Sequence, residues 1–77
     1  MEIIIKYCAQ WNYKPQAVSL AAKIKKALGT EPKLIPEGRG IFDVVVEDEL
    51  VYSKFKTGLF PDEERLINEL VSTYNSK

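Results

Sequence analysis

The sequence predicts a two-layer α/β domain in which a mixed four-stranded sheet carries two helices, in the order β-α-β-β-β-α. Three observations lead there. An unbroken β-branched run, Ile3-Ile4-Ile5, is followed by a long stretch of helical apolar spacing. Two apolar segments, Ile41 to Glu47 and Leu50 to Lys56, flank the acidic pair Asp48-Glu49. A second amphipathic stretch then begins with Pro61 and three acidic residues, Asp62, Glu63 and Glu64.

The first strand spans Glu2 to Tyr7, and its continuous apolar run suits a strand covered on both faces. A helix starts near Pro15, where the missing N–H costs little. Ala17, Leu20, Ala21, Ile24, Ala27 and Leu28 form its buried stripe, and Lys23, Lys25 and Lys26 lie mainly on the solvated side. Gly29 suits the C′ position and Pro32 prevents continuation. Lys33 to Pro36 is a short second strand, parallel to the first through a right-handed crossover. In the third strand Phe42, Val44 and Val46 share one face, and Ile41, Asp43 and Val45 the other. The fourth strand, Leu50 to Lys56, completes an antiparallel hairpin across Asp48-Glu49. The last helix runs from about Pro61 to Tyr74, with Leu66, Ile67, Leu70, Val71 and Tyr74 inward and Phe60 acting as a hydrophobic staple at its start. The tail Asn75-Ser76-Lys77 is expected to fray.

Seventy-seven residues make one domain, residues 1–77, close to the lower limit for folding on an apolar core alone. Lysine plus arginine equals aspartate plus glutamate, 11 each, which argues against nucleic acid as the main ligand. The apolar runs are far too short to span a bilayer, so no membrane association is expected. One unpaired thiol and no signal-peptide pattern suit a reducing, cytoplasmic setting. Without histidine there is no Ser-His or Cys-His catalytic pair, and one cysteine without histidine excludes a conventional zinc site. No glycine-rich phosphate loop is present, and no cofactor is expected.

The chemistry concentrates in Tyr7-Cys8-Ala9-Gln10-Trp11-Asn12-Tyr13-Lys14-Pro15, between the first strand and the first helix. This stretch holds the only cysteine and the only tryptophan, at the kind of strand-to-helix turn where α/β folds place their sites.

The pattern Tyr7-Cys8-x-x-x-x-Tyr13-Lys14-Pro15 resembles the selenoprotein W group, also called the Rdx or SelT/SelW/SelH family. Gly40-Ile41-Phe42-Asp43-Val44-Val45-Val46 with Leu50-Val51-Tyr52-Ser53-Lys54 is similar to the family's Gly-x-Phe strand and Ser-Lys segment. Gly58-Leu59-Phe60-Pro61 resembles its Gly-x-x-Pro approach to the last helix. The resemblance covers nearly the whole chain and implies a thioredoxin-like fold. It also implies a redox pair, Cys-x-x-Cys or Cys-x-x-selenocysteine, whose first member matches Cys8 and whose second falls on Trp11. Indole cannot expel product from a mixed disulfide, so the two-residue redox cycle is excluded within one chain. In the region where many thioredoxin folds place a cis-proline, this chain has Gly38-Arg39-Gly40, which would allow close backbone approach to the Cys8 loop.

Two functional classes follow. Cys8 can act alone in thiol–disulfide exchange or as a thiol sensor, forming mixed disulfides with glutathione or a protein partner. That requires thiolate: a free thiol of pKa about 8.5 is only roughly 3% ionised at pH 7, against about three-quarters at a pKa of about 6.5. The helix N-terminus, Lys6 and Lys14 favour the thiolate, and burial among Tyr7, Trp11 and Tyr13 opposes it. Two Cys8 thiols joined in a dimer would restore a two-thiol cycle, and the oligomeric state is open. Alternatively Cys8 is an inert small hydrophobe, and Trp11, Tyr13 and Lys14 form a protein-binding surface without enzymatic activity.

Overall fold

The computed structural model describes residues 1–74. The elements are β1 (Ile3–Cys8), α1 (Lys14–Leu28), β2 (Lys33–Glu37), β3 (Phe42–Val46), β4 (Glu49–Ser53), α2 (Lys54–Thr57) and α3 (Glu63–Tyr74). The four strands form one mixed sheet in the order β2-β1-β3-β4. Strand β1 pairs parallel with β2, placing Tyr7 beside Pro36, and antiparallel with β3, placing Tyr7 beside Phe42.

A single apolar core lies on one face of this sheet. Ile3, Ile5 and Tyr7 from β1 and Phe42, Val44 and Val46 from β3 meet Ala17, Leu20 and Ile24 of α1 and Leu66 and Leu70 of α3. Each of these large aliphatic side chains contributes about 1.5–3 kcal/mol on burial. Both helices pack on that face because α3 lies against α1: Ser19 Oγ donates to Glu63 Oε1 at 3.2 Å, and Lys23 Nζ pairs with the same oxygen at 2.7 Å. Strand β1 is therefore covered on one face rather than both. The alternate positions Ile4, Lys6, Asp43 and Val45 are half-buried on the opposite face. Asp43 Oδ1 there is buried without a hydrogen-bond partner among the described residues.

Helix α1 ends as the sequence requires, with Gly29 at φ 74° donating its N–H to Lys25 O at 2.8 Å. Strand ends shift by a residue from the sequence reading, β1 running through Cys8 rather than ending at Tyr7, and three boundaries differ with structural consequences. The hairpin turn is Glu47-Asp48, one residue earlier than Asp48-Glu49, because Val46 pairs with Glu49. Both turn residues have positive φ, 50° and 68°, the signature of a type I′ turn whose twist matches the strands. The fourth strand stops at Ser53 instead of Lys56, and Lys54–Thr57 form the short helix α2, a third helix closed by Gly58 at φ 77°. Helix α3 starts at Glu63 rather than Pro61: Asp62 caps it, its Oδ1 accepting the Arg65 N–H at 3.2 Å. Phe60 thus lies too far from the helix start to act as a staple. A β-bulge between Val44 and Val45 in the β3–β4 ladder leaves Val51 as the extra residue. No helix among the described residues is long and apolar enough to cross a membrane. The tail 75–77 lies outside the described residues.

Two predictions arise here. Asp48 in the left-handed region is strained relative to glycine, so Asp48→Gly is expected to raise stability by about 0.5–1 kcal/mol in urea unfolding. The second concerns alkaline pH. The hydrogen bond and charge of Glu63 hold the Lys23 ammonium above the ordinary lysine value of 10.5. Burial, then the hydrogen bond to Glu49, raises the Tyr74 phenol. Raised pKa values stabilise the fold below the ordinary titration range, and that stabilisation is lost as pH rises through the folded values. The urea midpoint should fall above about pH 10, and less steeply in Lys23→Gln/Tyr74→Phe than in the wild type.

Candidate functional site

Cys8 is the last residue of β1, held from both sides of the sheet end: its N–H donates to Ile41 O at 2.8 Å, and the Ala9 N–H to Glu37 O at 3.0 Å. The chain then makes a tight loop. Asn12 N–H donates to Ala9 O at 3.1 Å and Tyr13 N–H to Cys8 O at 3.0 Å, with Asn12 at φ 59°. This left-handed residue is an asparagine, the non-glycine type that best tolerates the conformation. Helix α1 begins at Lys14 with Pro15 in its first turn.

The loop closes over the thiol. Trp11 N–H donates to Cys8 Sγ at 3.3 Å, and Cys8 has 0% of its surface exposed. The loop amide gives the sulfur a hydrogen-bond donor, while complete cover keeps reagents out. By strand alternation Cys8 falls on the face of Ile4 and Lys6, and it stands apart from the main core cluster. Its cover includes the Ala9–Asn12 loop, whose four residues are themselves exposed.

Trp11 is 61% exposed, yet its ring rests on Gly40. A methyl group at Gly40 would lie 2.3 Å from Trp11 Cζ3, and Gly40 has φ 70°. The close approach expected of the Gly38-Arg39-Gly40 segment is made by the indole. Gly40→Ala is predicted to cost about 1–3 kcal/mol, from strain plus collision. Trp11→Ala should relieve the collision part, so a double-mutant cycle of urea midpoints should show positive coupling.

Tyr13 is half-buried and starts an aromatic chain: 6.1 Å centroid to centroid with Trp11 and 4.7 Å with Phe60, which in turn meets Phe42 at 5.3 Å. Phe60 belongs to this edge-to-face cluster rather than to a staple. Lys54 Nζ lies 5.5 Å from the Tyr13 centroid and 5.2 Å from that of Phe60, within cation–π range. Lys14 is exposed on the first turn of α1. The structure therefore gathers Cys8, Trp11 and Tyr13 at one sheet end and adds Lys54 and Phe60, which sequence reasoning did not assign to the site. Their sequence distance from the loop, with no shared periodicity, left no signal for that proximity. Among the described residues no group of three His, Cys, Asp or Glu side chains could hold a metal ion.

Comparison with known proteins agrees with this architecture. The Rdx family pattern matches residues 2–72. The chain is 28% identical over 78 aligned positions to Migration and invasion enhancer 1 of Bos taurus and 27% identical to its Mus musculus counterpart, covering all of this chain and 68% of each relative. Among solved structures it is similar to a selenoprotein W-related protein from Vibrio cholerae, at TM-score 0.84, 22% identity and 92% of both chains. A protein from Bordetella parapertussis aligns at TM-score 0.86 and 23% identity, over 92% of this chain and 94% of that one. These structural likenesses establish the selenoprotein W-like, thioredoxin-like fold.

Proposed function

Because this chain belongs to the Rdx family, we propose that it has a redox-related role and works through Cys8 alone, in a reducing, cytoplasmic compartment. The reaction is thiol–disulfide exchange. The Cys8 thiolate attacks one sulfur of oxidised glutathione or of a partner's disulfide, forms the mixed disulfide and displaces the other sulfur as thiolate. A second, external thiol then attacks that bond and releases Cys8. With Trp11 in the position of the second redox residue, no internal group performs the release.

One observation carries this reading: Cys8 Sγ accepts a loop amide at the end of β1, and an exposed loop forms part of its cover. Lifting that loop uncovers the sulfur without opening the core, and local openings of this kind cost far less than global unfolding. Trp11 acts as the latch, resting on Gly40. The test is Cys8 modification by iodoacetamide across pH, native against urea-unfolded, with oxidised glutathione followed by intact mass. The expected result is a native mixed disulfide and a several-fold faster alkylation in Trp11→Ala at unchanged stability. Modification that appears only on unfolding would overturn it.

A second reading is favoured by the contrast between a fully covered Cys8 and a 61% exposed Trp11. In it the loop is a protein-binding surface and the thiol a structural residue. Non-reducing electrophoresis after mild peroxide, against Cys8→Ser, separates both readings from a thiol-linked dimer.

A further inference from the structure

Helix α2 is an ordered turn that buries none of its side chains. Phe55 is 92% exposed. The turn is nevertheless held tightly. Thr57 Oγ1 donates to Ser53 O at 3.2 Å, and Gly58 N–H to Lys54 O at 2.7 Å. Leu59 N–H donates to Thr57 Oγ1 at 3.2 Å, and Tyr52 Oη to Leu59 O at 2.7 Å. The core gains nothing from Phe55, yet the backbone that carries it has one defined shape. Rigid presentation of an exposed aromatic side chain is what a binding anchor requires, since little entropy is then lost on association.

The register places this turn beside the Cys8 loop. Ser53 pairs with Asp43, next to Phe42, which pairs with Tyr7, so α2 emerges at the sheet end where β1 delivers Cys8. Lys54 spans the junction, lying over Tyr13 and Phe60. Trp11 flanks Tyr13 on one side, and Leu59, 69% exposed, adjoins Phe60 on the other. Charge is polarised along the same direction. Lys14, Lys54 and Lys56 belong to this end, and none of them is in an ion pair among the described residues. The acidic residues bordering it include Glu37, Asp43 beside Ser53, and Asp62, which is engaged in capping α3. The hairpin end opposite carries Glu2, Glu47, Asp48 and Glu49, with Lys33 there paired to Glu2 at 3.7 Å. A chain of zero formal net charge thus presents a basic, aromatic end and an acidic one.

We propose that the basic end is a docking surface for an acidic segment of another protein. Phe55, Trp11 and Leu59 supply the apolar anchors, and Lys14, Lys54 and Lys56 meet the carboxylates. This rests on the Trp11-surface reading, extends it to α2 and names the chemistry of the partner; it does not require Cys8. Charge complementarity selects an acidic partner, and the hydrogen-bonded geometry of the turn suits a protein segment better than a fluid lipid surface.

The test uses the full chain carrying Cys8→Ser, panned against displayed random short peptides, with isolated binders measured by fluorescence anisotropy. Expected are binders rich in Asp and Glu beside aromatic or aliphatic residues. Their affinity should fall roughly tenfold in Phe55→Ser and in Lys54→Glu/Lys56→Glu, and weaken as salt rises. Because Phe55 is solvent-exposed, urea unfolding should show Phe55→Ser as stable as its parent. Binders lost in Trp11→Ala but unchanged in Phe55→Ser would keep the Trp11 reading and overturn this extension. Basic or charge-neutral binders, or none above background, would overturn it outright. So would Phe55-dependent co-sedimentation with phosphatidylserine-containing vesicles in the absence of acidic peptide binders, which would assign the surface to lipid.

Discussion

Strand β1 is the constraint on which the rest of the molecule depends. It is hydrogen-bonded along both edges, to β2 in parallel and to β3 antiparallel. Its alternate residues Ile3, Ile5 and Tyr7 supply a row of the core that α1 and α3 cover. Because its backbone is paired to the last residue, Cys8 is delivered at a fixed point, with its own N–H already committed to Ile41 O. The loop that follows inherits that anchoring and has few ways to turn back into α1. A left-handed Asn12 and Pro15 at the helix start complete the turn.

The end of the molecule that carries Cys8 is built from segments that are adjacent only after the sheet forms. The β1–α1 loop brings Cys8, Trp11 and Tyr13. The β2–β3 connection brings Gly40, whose missing side chain makes room for the indole. The β4–α3 connection brings Lys54 and Phe60 against Tyr13. An exposed aromatic patch and a covered thiol are thereby coupled through one residue, since Trp11 both shields Cys8 with its backbone and faces solvent with its ring. Movement of that residue would change thiol access and surface shape together.

How much of this was legible in the sequence is instructive at particular residues. The alternation of Phe42, Val44 and Val46 identified the buried face of β3, and the spacing of Ala17, Leu20 and Ile24 that of α1, because burial against a flat layer imposes the strand and helix periods directly. Gly29 marked the end of α1 for an equally local reason, its left-handed conformation. The hairpin turn lies one residue before the position its sequence suggests because Glu47-Asp48 lacks the glycine that usually marks a type I′ turn; pairing of the flanking strands outweighs the local cost. Helix α2 left no periodic signal, being only four residues long.

The sequence by itself determined the order of the four strands and two long helices, the family pattern and the exclusion of a two-thiol cycle within this chain, since each depends on residue identity or local period: one cysteine cannot form an internal disulfide in any fold. Only the tertiary structure decided that Cys8 is fully buried with its loop as part of the cover, and that Lys54 and Phe60 join Tyr13. These are consequences of strand register and crossover, which set distances between residues far apart in the chain. Periodicity says which way a side chain faces, and pairing says what it faces.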